Sequence, residues 1–97
     1  MARVKIEQGT LTHRKTLRLK GLLGIGVAQA VGHLTMLWVW AATGTKDGSL
    51  AGMTPTEIAE VSGWAGEPDD FLAAMIDAGY IDEAPDGFRL HDWAENT

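Results

Sequence analysis

A chain of 97 residues without cysteine makes one small domain with a single core, and it excludes disulfides and thiolate metal sites. The formal net charge of −5 conceals a bipolar distribution: residues 1–20 hold Arg3, Lys5, Arg14, Lys15, Arg18 and Lys20 against Glu7 alone, while residues 21–97 hold Lys46 and Arg89 against twelve carboxylates. Any polyanion should therefore meet the head of the chain and be repelled by its body.

Residues 1–10 alternate Val4 and Ile6 with Arg3, Lys5 and Glu7, which is a short strand or a loose arm ended by Gly9. Thr12 offers an N-cap to a helix from about His13 to Leu23. Leu19, Leu22 and Leu23 form its expected apolar stripe, with Arg14, Lys15 and Arg18 on the opposite side. Gly24-Ile25-Gly26 breaks this helix. The run GLLGIG lacks the G-x-x-x-x-G-K-[ST] pattern of a phosphate loop and reads as a helix–helix turn.

The stretch from Gly21 to Thr45 is uncharged, and within it Val27 to Thr43 reads as one helix. Val27, Val31, Leu34 and Trp38 lie along one side, Ala28, Thr35, Val39 and Ala42 along the next, and Trp40 sits about 200° from Trp38. A helix apolar on nearly every side must be buried in a core, a membrane or an interface. Gln29, His33 and Thr35 near its middle and the glycines before it argue against a membrane span, so the expectation is a core helix.

Asp47-Gly48 signals a turn, with Ser49-Leu50-Ala51 as an optional short strand. Thr54-Pro55-Thr56-Glu57 is a capping box with proline at the first helical position. The helix it opens turns Ile58, Ala59 and Val61 inward and stops at Gly63. After the turn Trp64–Glu67, Pro68 opens a helix with Asp69 and Asp70 at its positive end, a core stripe of Phe71, Leu72, Met75 and Ile76, and a stop at Gly79. Tyr80–Glu83 and Phe88–Leu90 flank the turn Ala84–Gly87 as a short hairpin. His91-Asp92-Trp93 leaves it, with Trp93 expected to pack back on the core, and residues 94–97 are polar.

These elements define a mainly α fold with a small β-hairpin. Residues 11–44 supply two helices, 54–79 a helix-turn-helix and 80–93 a wing hairpin, together a winged helix-turn-helix over residues 1–97.

Thr12-His13-Arg14-Lys15-Thr16 with Arg18-Leu19, the helix His33-Leu34…Leu37-Trp38…Trp40-Ala41, Ile58-Ala59, Gly63-Trp64, Ala78-Gly79-Tyr80-Ile81 and His91-Asp92-Trp93 carry a family likeness. The chain resembles the N-terminal winged-helix domain of phage replication-initiation or replisome-organiser proteins, which are DnaD-like, and their actinobacterial and phage relatives. The likeness covers most of the chain. It implies a role in phage or prophage DNA replication, with DNA and other replication proteins as partners. Relatives of this kind are commonly longer, so a domain of a larger protein, completed by a C-terminal region, is the expectation.

One departure bears directly on function. The second helix of a DNA-binding helix-turn-helix enters the major groove, where basic and amide side chains contact bases and phosphates. Here that helix is PDDFLAAMIDAG, preceded by Glu67, with no basic residue, and the hairpin adds Asp82, Glu83 and Asp86. Carboxylates cannot contribute the counterion release that drives phosphate binding. DNA contact, if made, should fall to Arg3, Lys5, Arg14, Lys15, Arg18 and Lys20, touching phosphates without reading sequence.

The three histidines, His13, His33 and His91, show no metal-ligand spacing, and His33 on the central helix reads as a hydrogen-bonded core residue. His91-Asp92-Trp93 reads as a structural clasp, and neither Ser49 nor Ser62 lies in a nucleophile motif. No enzyme, cofactor or metal is expected, and the absence of cysteine suits a cytoplasmic protein. Trp40, hard to bury within one molecule, is the candidate anchor of a homodimer. Two functions follow from the residues: a DNA-associated domain using its basic head, or a protein–protein and oligomerisation module without DNA affinity of its own.

Overall fold

The computed structural model describes residues 14–45 and 47–91. Four helices, α1 (Arg14–Leu23), α2 (Val27–Gly44), α3 (Pro55–Val61) and α4 (Pro68–Ala78), precede an antiparallel hairpin of β1 (Ile81–Ala84) and β2 (Gly87–Leu90). The mainly helical fold with a small hairpin is the one read from the sequence. The expectations for residues 1–13, and for Trp93 in the clasp, lie outside the described residues.

Local chemistry sets most boundaries. Thr54 accepts from the Glu57 N–H at 3.2 Å while the Glu57 carboxylate accepts from the Thr54 N–H at 2.9 Å, completing the capping box of α3. Helices α1, α3 and α4 end alike: the residue after a positive-φ glycine returns its N–H to the carbonyl five positions back. The pairs are Ile25 to Lys20, Trp64 to Ala59 and Tyr80 to Met75, at 3.1, 2.9 and 2.9 Å. The chain bends by 103° between α1 and α2, and among the described residues no single helix is long and apolar enough to cross a membrane.

The central helix differs from its expectation in an informative way. α2 buries one stripe, Ala30, His33, Leu34, Leu37, Trp38 and Ala41, at the i, i+3, i+4 spacing of an ordinary amphipathic helix. Its other side, with Ala28, Gly32, Met36, Val39 and Thr43, is exposed although uncharged. Thr35 and Thr43 hide their polarity by donating back to the Val31 and Val39 carbonyls at 2.7 and 3.1 Å. Lack of charge therefore marked the helix without marking which side is covered.

The core gathers that stripe with Leu19 of α1, Leu50, Ile58 of α3, Phe71 and Met75 of α4, Ile81 and Leu90. Helix α1 packs on α2 and α4, and α3 packs on the same two helices. The optional strand at Ser49–Ala51 reduces to a single bridge, Ser49 to Arg89. Around that bridge Leu50 donates to the Phe88 carbonyl at 2.8 Å and Leu90 to the Gly48 carbonyl at 2.9 Å, so the segment after α2 borders β2. The strand expected from Tyr80 begins at Ile81, because Tyr80 is taken up by the end of α4.

Candidate interaction surface

Helix α4 turns Phe71, Leu72, Ala74, Met75 and Ala78 into the core. Asp69, Asp70, Ala73 and Asp77 are left on its exposed side. Asp69 and Asp70 sit in the first turn, where the helix dipole favours them, and no basic residue occupies the last turn.

That missing cation comes from α1. Lys15 Nζ donates to the Gly79 carbonyl at 3.1 Å, at the C-terminal end of α4, and lies 5.5 Å from the centre of the Tyr80 ring. One turn along, Arg18 pairs with Asp77 at 2.8 Å, with both side chains more than half exposed, so the pair adds little energy but holds the α1–α4 register. Thr16, fully buried between them in sequence, meets the Tyr80 hydroxyl at 2.6 Å. Burial pushes the Tyr80 phenol above its usual range, and the Thr16 hydrogen bond pulls it partly back.

The structure describes four of the six cations expected to touch phosphate, and it places them differently. Lys15 and Arg18 are engaged on α4, Arg14 is exposed at the start of α1, Lys20 is half-buried in its last turn, and Arg3 and Lys5 lie outside the described residues. The apolar stripe expected on α1 is corrected at one position: Leu22, 48% exposed, does not join Leu19 in the core. Together with Leu23, Trp64, Asp70, Ala73, Ala74 and Asp77 it lines an open groove of about 450 Å³ between α1 and α4. The sequence reading missed this groove, because an apolar stripe on α1 does not show how far α4 covers it.

Trp40, expected to resist burial, is half-buried against the core and rests its ring on the glycine that ends α2. A Cβ on Gly44 would stand 3.8 Å from that ring, an ordinary contact distance. Among the described residues the exposed large apolar side chains are Leu17, Leu22, Met36 and Val39.

His33 is the core residue anticipated. Its Nδ1–H donates to the Ser62 carbonyl at 2.8 Å, which leaves Nε2 to accept from the Gln29 amide at 3.2 Å. Trp64 and Phe71 stack with centroids 5.5 Å apart and both present to the imidazole edge-on, at 5.4 and 6.0 Å. Gly66 makes room for this arrangement, since a Cβ there would come within 2.9 Å of the Trp64 ring. His91 pairs through Nδ1 with Asp82 at 2.7 Å, across the hairpin. The pair is partly exposed on the hairpin. The chain matches no family model, no curated protein and no solved structure.

Proposed function

We propose that this domain is a winged helix that works through protein–protein contacts, as a non-enzymatic module of a replication-associated protein of the kind its sequence resembles. The winged-helix reading is supported by the order of elements: a long helix, a segment bordering the second hairpin strand, a helix-turn-helix and then the hairpin. The observation that carries the functional reading is the exposed side of α4. A recognition helix presenting Asp69, Asp70 and Asp77 would be repelled by phosphates, and two of the described cations nearest to it are committed to its own C-terminal end.

The competing reading, phosphate contact through the basic head, keeps Arg14 with Arg3 and Lys5 as its residues. Electrophoretic mobility shift of duplex DNA with the full chain at low and at moderate salt separates the two. Absence of a shift at moderate salt is the expected result. A salt-sensitive shift lost on Arg14→Glu would overturn the protein-contact reading and assign the head to DNA.

A further inference from the structure

Helix α1 presents two surfaces side by side. Its outward ridge is Arg14, Leu17 and Gly21, spaced three and four residues apart; Leu17 is 46% exposed, and a Cβ on Gly21 would meet nothing within 4 Å. Around the helix from this ridge, Leu22 slopes into the groove against α4, whose rim carries Asp70 and Asp77. The ridge is apolar with a cation, and the groove is apolar with carboxylates. Arg18 of the same helix already pairs with Asp77, so Asp70 is the carboxylate left to meet a cation from a second copy.

We infer that the groove receives the α1 ridge of a second copy of this chain, in a two-fold dimer. Ridge and groove adjoin on one face, so a two-fold axis beside Leu22 seats each ridge in the other copy's groove at once. Such an isologous contact closes on itself and leaves no free end to propagate. The glycine at position 21 lets the backbones of the two α1 helices approach, as crossing helices do at small residues. The outer side of α2, with Met36 and Val39, is another exposed apolar area among the described residues, but it carries no charge to set against the groove's carboxylates. Because α1 has only ten residues, the contact is small and the dimer weak, with an affinity that falls as salt screens the rim.

This inference rests on the protein-contact reading of the domain, and its test is independent of DNA. Sedimentation equilibrium of the full chain should show the average mass rising towards twice the monomer across the micromolar range, with the midpoint moving to higher concentration in higher salt. Leu17→Asp on the ridge and Ala73→Arg in the groove should each weaken association by about tenfold or more, whereas Val39→Asp on α2 should leave it unchanged. All three positions are exposed, and circular dichroism checks that each variant keeps its helices. A chain that stays monomeric throughout, or a dimer broken by Val39→Asp and not by Leu17→Asp or Ala73→Arg, overturns the inference. DNA binding in the mobility-shift assay would instead overturn the protein-contact reading while leaving this result standing.

Discussion

The Thr16–Tyr80 hydrogen bond joins residues 64 positions apart and fastens α1 to the end of α4, so its energy reports how firmly the first helix is docked. Tyr80→Phe leaves the Thr16 hydroxyl in a fully buried site without that partner, a loss of about 1–3 kcal/mol. Thr16→Val keeps the shape of the buried side chain and removes the hydroxyl. The phenol it deserts is only half-buried and can turn to water, so this change should cost less, about 0.5–1.5 kcal/mol. The double variant has no stranded group at all and should be less unstable than the sum of the two, by about 1 kcal/mol. In a chain of this length 1 kcal/mol moves the thermal midpoint by about 4–8 °C, well within reach of a melting curve. Urea unfolding followed by circular dichroism for the four proteins closes the cycle. Single-variant losses that add within about 0.3 kcal/mol, or a Tyr80→Phe protein as stable as the parent, would refute the assignment of this bond as the fastening of α1.

Alkaline pH probes the burial of the same phenol. The Tyr80 phenol titrates above its usual 10.0 in the folded chain, so the unfolded chain loses that proton first. The stabilisation is complete below the unfolded value and is lost as pH rises through the folded one; denaturation midpoints should fall in that range, and the fall should be shallower in Tyr80→Phe. Gly79→Ala should cost about 1–2 kcal/mol in chemical denaturation, because φ at this position is +90° and the new Cβ would press to 3.3 Å from the Lys15 stem. Thr54→Ala should cost about 0.5–2 kcal/mol in the same measurement, from loss of the side-chain cap of α3.

The elements themselves were legible because their signals are local. A threonine that caps at Thr54, prolines that open helices at Pro55 and Pro68, and glycines that close them at Gly63 and Gly79 act within five residues of themselves, and the structure uses each as the sequence implies. The same holds for the hairpin around Pro85-Asp86, and for His33, whose apolar surroundings on a long helix already pointed to a satisfied core group. The acidic character of α4 was also evident, since it depends only on which residues the helix contains.

What tertiary structure alone decided is which side of each helix is covered and which charges meet. An uncharged helix such as α2 reads as buried all round, yet the stripe from Ala30 to Ala41 is what the described elements bury, and among the described residues Met36 and Val39 stay exposed. Trp40 packs half-buried against the core, with its ring over Gly44. Lys15 and Arg18 looked like a face for phosphate, but α1 crosses α4 where that helix ends in bare carbonyls and an aspartate. A carbonyl at a helix end and a lysine 64 residues earlier carry no mark of each other in sequence, because their attraction exists only once packing has brought them within about 3 Å.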